Sequence, residues 1–124
     1  MKAYGKIDWA FAAGRIPFLS QGKEPEMTSH DKIAVLNVSG EEAVLKISIF
    51  YEDAPPREYE VKLRPRRLKK IRFNDLIDPE AIRMERNFSC FVRSNVPVVI
   101  QYSRMNTGSL MNAEMTSMGY PVDD

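Results

Sequence analysis

Alternation of apolar and polar residues predicts β-strands along most of the chain. In Ala43–Tyr51 every second residue from Leu45 onward is leucine, isoleucine or tyrosine, with Lys46 and Ser48 between them. This period-two pattern is typical of a strand with one face in the core and one in water. Arg57–Leu63 repeats it, whereas Lys32–Val38 is apolar at both parities, as in a central strand of a sandwich.

Four further segments read as strands, and two of them need local irregularities. The hydrophobic parity slips in the middle of the fifth predicted strand, which favours a β-bulge near Lys69-Lys70. A tight connection at Asn95-Val96 is expected to join the last two strands. The four segments are Ile7–Ala13, Arg67–Phe73, Phe88–Ser94 and Pro97–Met105.

Three segments interrupt this pattern. The stretch from Gly14 to Asp31 contains Pro17, Gly22 and Pro25 and reads as a long loop, a kind of segment that often carries function. A helical turn is expected after Asp78. Ser109–Gly119 is the candidate helix, because its methionines fall near one helical face.

The order of elements predicts an all-β fold in a single domain, residues 1–124. We expect an antiparallel β-sandwich of about seven to eight strands with a short C-terminal helical segment, and a barrel as the alternative. A parallel α/β fold is excluded because no helical pattern separates successive strands.

Composition narrows the class of protein. The chain has 124 residues, a net charge of +1, one cysteine and one histidine. The last two counts exclude an internal disulfide and a His/Cys zinc cluster within one chain. No apolar run approaches the length of a membrane span, so we expect a soluble, cytoplasmic protein without cofactor or metal.

A run of cations suggests one partner class. The seven residues are Lys62, Arg64, Arg66, Arg67, Lys69, Lys70 and Arg72, with no acid among them. Such a ribbon could contact phosphates of DNA, with Lys69, Lys70 and Arg72 as the possible contacts. The alternative is a solvated face that protects an edge strand, with Glu58 and Glu60 paired across it.

Polar residues at strand ends suggest a second partner class, a small polar ligand. Arg104 shares the parity of core residues, so it needs a carboxylate such as Asp75 or an open pocket. His30, Asn74 and the Ser94-Asn95 pair admit either a turn role or contact with a polar ligand. No serine lies in a nucleophile-elbow sequence and no catalytic dyad is visible, so an enzyme is not expected.

Several ordered segments resemble the sensory rhodopsin transducer family. They are Trp9–Pro17, Thr28–Asp31, Val35–Val38, Ile47–Tyr51, Arg67–Asp75 and Ser94–Gln101 with Arg104. The resemblance implies a β-sandwich that assembles as a homotetramer and a founding member that partners a microbial rhodopsin from the cytoplasmic side. It also implies a non-enzymatic domain that binds a small polar ligand, with sugars as candidates, and DNA binding has been proposed for a member.

The same resemblance implies a set of ligand-binding residues. These are Trp9, His30, Asn37, Asn74, Asp75, Ser94, Asn95, Gln101 and Arg104. The expected function is therefore ligand binding relayed to a protein partner, such as a membrane receptor or another signalling protein. Two alternatives remain: an interaction adaptor that uses the methionine-rich C-terminal segment, and a DNA-binding transcriptional regulator, both without a small-molecule ligand.

Overall fold

The chain folds almost entirely into antiparallel strands. A computed structural model describes residues 4–14, 30–78, 80–83, 86–106, 113–118 and 120–122. The strands are β1 (Lys6–Gly14), β2 (His30–Asn37), β3 (Ala43–Tyr51), β4 (Arg57–Leu63), β5 (Arg67–Arg72), β6 (Phe88–Asn106), β7 (Ala113–Met118) and β8 (Tyr120–Val122), with a 3-10 turn at Phe73–Asp75. In the described part of the chain, no helix has the length and apolarity needed to cross a membrane.

One long strand organises the molecule. The first half of β6 pairs with β3 and β1, which gives the order β4-β3-β6-β1-β8. We call this sheet A. The second half of β6 pairs with β2 and β7, and β2 also pairs with β5, which gives β5-β2-β6-β7. We call this sheet B. The prediction of an all-β antiparallel fold is confirmed.

The inner faces of the two sheets form one core. Along β6 every even-numbered residue from Phe88 to Tyr102 is buried, so the alternation continues across both sheets. Ring contacts join the sheets: Phe11 of β1 lies 5.3 Å from Tyr102, and Phe88 lies 5.7 Å from Phe73, measured between ring centroids. The predicted inward residues of β3 are likewise buried at Leu45, Ile47 and Ile49.

The predicted break at Asn95-Val96 is wrong, because β6 is continuous for 19 residues. The partner changes there while the strand does not end. Pairing with β3 stops at Ser94 and pairing with β2 starts at Val99. Pro97 lies between these two ladders, so its missing N–H is not needed for pairing with either β3 or β2.

The predicted bulge near Lys69-Lys70 is also wrong. The ladder between β2 and β5 is regular from Asn37 opposite Arg67 to Lys32 opposite Arg72. The parity slip arose because Leu68 lies on the outer face, where it is exposed. An apolar side chain on the solvent side therefore produced the appearance of an inserted residue.

The C-terminal helix is replaced by a strand. Ala113–Met118 forms β7 and pairs with Gln101–Asn106 of β6, whereas residues 107–112 and 119 lie outside the described part. A helix of this length is marginal alone, and the ladder satisfies backbone groups on the side of β6 away from β2. Residues 80–83 are not helical either; the observed helical turn comes earlier, at Phe73–Asp75.

Candidate functional site

Trp9 supports the point where β6 passes from one sheet to the other. Its indole is buried, and Nε1 donates to the carbonyl of Lys6 at 3.0 Å and to that of Val98 at 3.1 Å. Gly5 has a φ of +92°, and a Cβ there would lie 2.3 Å from the Val98 oxygen. The close approach of the backbone at Gly5 to Val98 requires glycine. The indole N–H of Trp9 is occupied by its two hydrogen bonds to backbone carbonyls.

Asn37 is fully buried and connects two turns. Its Nδ2 donates to the carbonyl of Glu41 at 2.7 Å and to that of Arg64 at 3.3 Å. Its Oδ1 accepts from the backbone N–H and the hydroxyl of Ser39, at 3.0 and 2.7 Å. The carboxamide therefore holds the β2–β3 turn against the end of β4, and these bonds occupy both ends of the amide.

Asn95 and Ser94 also bond to nearby backbone groups. Asn95 Oδ1 accepts from the N–H of Val44 at 2.7 Å, and its Nδ2 donates to the carbonyl of Glu42 at 3.1 Å. The Ser94 hydroxyl is buried and accepts from the Val96 N–H at 3.3 Å. Both residues lie where the partner of β6 changes, and Asn95 anchors the start of β3 to β6.

The remaining predicted residues, apart from Gln101, gather at one end of sheet B. The register places Arg104 opposite Asp31 of β2 and Met115 of β7, and places His30 opposite Met105. The turn that carries Asn74 and Asp75 follows β5 directly and packs against β2. We call this group the sheet-B end; it comprises His30, Asp31, Asn74, Asp75 and Arg104.

The chemical groups available at the sheet-B end are known from the backbone positions of its residues. The described side chains include that of Asp75, which is exposed, but not those of His30, Asp31, Asn74 and Arg104. The Arg104 position has the parity of buried Tyr102 and Ile100, as the sequence predicted. Sequence reasoning paired Arg104 with Asp75 and missed Asp31, which stands directly across the ladder; strand register was the signal that could have found it.

Aromatic rings lie directly beneath this end. Tyr102, two residues before Arg104, has its ring centroid 5.7 Å from that of Phe73, the first residue of the 3-10 turn. Phe73 and Tyr102 are both buried, and Phe11 completes the contact from sheet A. The cluster fixes the turn relative to β6 and so holds the backbone positions of the polar residues in place.

Gln101 and the cations proposed to contact DNA do not belong to the sheet-B end. Gln101 is exposed on the outer face, opposite Ala34. Lys69 and Lys70 are exposed on opposite faces of β5, and Lys69 Nζ donates to the Lys62 carbonyl at 3.4 Å. Arg72 is half-buried, and among the described residues its Nε is a buried atom without a hydrogen-bond partner. Glu60 of β4 lies opposite Lys46 of β3 and Glu58 lies opposite Ser48, so neither acid stands across a ladder from the basic run.

One ion pair between a buried carboxylate and an exposed guanidinium was not anticipated from the sequence. Asp8 of β1 is buried on the outer face of sheet A, and its Oδ1 accepts from Arg93 Nε at 2.8 Å. Arg93 itself is largely exposed and its guanidinium lies 5.9 Å from the Phe91 ring centroid. Within the described ranges, no group of three His, Cys, Asp or Glu residues is arranged to hold a metal ion.

Two ionisable groups in the sheet-A strands are shifted by burial. Desolvation raises the pKa of the Cys90 thiol well above its usual value. Desolvation is also the main cause that raises the pKa of Tyr59, whose hydroxyl donates to the Glu80 carbonyl at 2.6 Å. Neither group is poised to react near neutral pH, so both have a structural character.

Comparison with known proteins agrees with the fold. A family described as Anabaena sensory rhodopsin transducer matches residues 4–121. The chain belongs to the Anabaena sensory rhodopsin transducer family. The resemblance inferred from the ordered motifs is thereby confirmed. No curated protein matches the chain significantly.

Two solved structures show how far the family likeness extends. The crystal structure of Thermotoga maritima 1070 superimposes with a TM-score of 0.81 at 32% identity, covering 95% of this chain and 96% of that one. The structure of the Anabaena sensory rhodopsin transducer gives a TM-score of 0.74 at 39% identity, covering 82% and 89%. The likeness therefore extends over most of each chain, and the family is one of signalling proteins.

Proposed function

We propose that this chain is a non-enzymatic cytoplasmic signalling domain that binds a small polar ligand at the sheet-B end and relays its occupancy to a protein partner. Membership of the transducer family supports the signalling role. A sensory receptor is the partner class that the family name suggests, and a homotetramer is the assembly that we expect.

The register at Arg104 carries the ligand proposal. Arg104 and Asp31 stand on directly opposed positions of neighbouring strands, one pair before the end of the described ladder between β2 and β6. A guanidinium and a carboxylate at the end of a sheet offer charge-assisted donors and acceptors for hydroxyl or carboxylate groups. His30 and the Asn74-Asp75 turn supply further polar groups beside that pair.

The relay would use β7. This strand lies against the end of β6, with Met115 opposite Arg104 and Glu114 opposite Met105. A ligand held by Arg104 would therefore alter the stability of the ladder that attaches the C-terminal segment. Because a ligand shifts a conformational equilibrium only through its differential affinity, occupancy would favour the state in which this ladder is formed.

A thermal-shift screen of sugars and organic acids tests the ligand proposal. Ligand binding to the folded state raises the unfolding temperature by mass action, so a true ligand gives a concentration-dependent shift. We expect Arg104→Gln and Asp31→Asn to abolish the shift, and Lys46→Ala, on the outer face of sheet A, to retain it. A confirmed shift that survives both substitutions at the sheet-B end would place the ligand elsewhere.

Binding to DNA is the second candidate function. Exposure of Lys69 and Lys70 on the edge strand β5 favours it, although the two side chains face opposite ways. Phosphate contacts predict an affinity that falls steeply with salt concentration. We expect Lys69→Ala, Lys70→Ala and Arg72→Ala to reduce the salt dependence if DNA is the partner; salt-independent binding would exclude this function.

A further inference from the structure

The outer face of sheet B carries apolar side chains that the core does not use. Leu36 of β2 and Leu68 of β5 stand opposite each other and are 41% and 59% exposed. Val38 follows on the same side and is 42% exposed, and Val99 of β6 lies opposite Leu36. Cross-strand neighbours lie about 5 Å apart at Cβ, so these residues form a contiguous stripe across three strands.

Cations border this stripe on β2 and β5. The outward positions of β2 and β5 hold Lys32, Lys70 and Arg72 beside the two leucines. None of the described outward positions of these two strands is acidic. An apolar centre with a border of a single charge sign is the surface composition expected of a docking site for a partner of the opposite sign.

We propose that this face, the Leu36–Leu68 stripe with its cationic border, docks an acidic protein segment that carries apolar side chains. The inference deepens the proposed function, because it gives the relay a surface and the partner a chemistry. Leucine and valine would contact the partner's apolar groups, while Lys70 and Lys32 would pair with its carboxylates. Since the stripe is small compared with a standard interface of about 800 Å² per partner, the complex should be transient.

Two other occupants fit the face less well. A second copy docked through the same face would bring the lysines of the two subunits together, which opposes association. Nucleic acid would use the cations but would leave the leucines and valines without apolar partners. A partner that combines acidic and apolar residues satisfies both halves of the surface.

Fluorescence anisotropy with the full chain tests the proposal. The probe is a fluorescein-labelled peptide in which glutamate alternates with leucine, and the comparison probe has lysine in place of glutamate. We expect Leu68→Ser and Lys70→Glu each to weaken binding about tenfold or more, which corresponds to about 1.4 kcal/mol. Circular dichroism and the unfolding temperature confirm that the variants are folded.

Two control variants distinguish binding at this face from nonspecific electrostatic and hydrophobic binding elsewhere on the surface. Phe50→Ser removes an exposed aromatic from the outer face of sheet A, and Lys62→Glu reverses an exposed charge of the same basic run on β4. Both should keep the affinity within about twofold of the unmodified chain, because neither residue belongs to the stripe.

Four results would overturn the proposal. The first is no binding of the acidic peptide, and the second is equal weakening by the control variants. The third is displacement of the acidic peptide by duplex DNA, where DNA binding depends on the lysines but not on Leu68. The fourth is a change of oligomeric state in Leu68→Ser, which would assign the face to a second copy. The assay uses no small-molecule ligand, so failure of the ligand screen leaves its result unaffected.

Discussion

The outer faces of the two sheets differ in how their charges are satisfied. On sheet A a single row across the strands brings together Glu60, Lys46, Arg93 and Asp8, so each of the two bases has an acid on a neighbouring strand. On sheet B the corresponding surface places Leu36 and Leu68 among cations. Sheet A therefore pairs opposite charges on its outer face, whereas the outer face of sheet B presents two exposed leucines beside cations.

Equal burial on the inner faces of the two sheets therefore does not imply equal roles for their outer faces. Both sheets contribute fully buried residues, such as Ile47 of sheet A and Ile33 of sheet B, to one core. Because the inner faces already hold the sheets together, the outer faces are free to differ. Stability should be sensitive to the Asp8–Arg93 ion pair on the outer face of sheet A and insensitive to the exposed leucines on the outer face of sheet B.

Among the outer-face variants, removal of Arg93 should lower the stability most. Arg93→Ala would leave the buried Asp8 carboxylate without its ion-pair partner. We expect the free energy of unfolding in urea to fall by about 2–3 kcal/mol, below the usual range for a fully buried pair because Arg93 is exposed and water can partly replace it.

The matched control lies in the same row. Lys46→Ala removes an exposed cation and should change the free energy of unfolding by less than about 0.5 kcal/mol. Equal losses of unfolding free energy in the two variants would show that the Asp8–Arg93 pair adds no more stability than the exposed Lys46 does.

The next effect concerns the junction between the sheets. Asn37→Ala would leave the carbonyls of Glu41 and Arg64 without their buried donor, so we expect a loss of about 1–2 kcal/mol in urea unfolding. Asn95→Ala, whose hydrogen bonds are exposed, should cost less. A variant of Asn37 that unfolds like the unmodified chain but loses a ligand-induced thermal shift would instead assign this amide to ligand binding.

Alkaline pH should reveal the buried ionisable groups of the sheet-A strands. Burial raises the folded-state pKa values of Cys90 and Tyr59 above their unfolded values, so the neutral forms favour the folded state. Their contribution is complete below the unfolded pKa values and is lost as the pH rises through the folded ones.

The urea midpoint should therefore decline between about pH 8 and about pH 11. Cys90→Ala and Tyr59→Phe remove the two titrating groups, and the double variant should show a shallower decline. A decline of unchanged slope would mean that other groups determine the alkaline stability.

The smallest expected effect is on the outer face of sheet B. Leu68→Ser should change the free energy of unfolding by less than about 0.5–1 kcal/mol, because the side chain is already 59% exposed. Ile71→Ala, on the buried side of the same strand, should cost about 2–4 kcal/mol. A large loss in Leu68→Ser would show that the stripe supports the fold and is not reserved for a partner.

Local alternation was enough to predict most strands and their buried faces. The segments Ala43–Tyr51 and Arg57–Leu63 are strands with those bounds. Prediction failed where the decisive interaction was with a distant segment. Asn95 looked like a turn residue, yet it bonds across to Val44 and Glu42 within a continuous strand.

The candidate site, like the fold, was only partly predictable from the sequence. Sequence reasoning selected polar residues by type, and type alone could not separate an amide that supports the backbone, such as Asn37, from one available to a ligand. It also chose Asp75 for Arg104, because nothing in the sequence states that β2 runs beside β6 with Asp31 opposite the arginine.

Period-two alternation and ordered motifs are local properties of the chain, so they were enough to predict an antiparallel all-β member of a signalling family. The folded chain alone shows that one strand serves two sheets, that the C-terminal segment forms β7 and that Leu68 faces outward. Those outcomes depend on which strands pair and in which register, and pairing between segments far apart in sequence is set by the packing of the whole core.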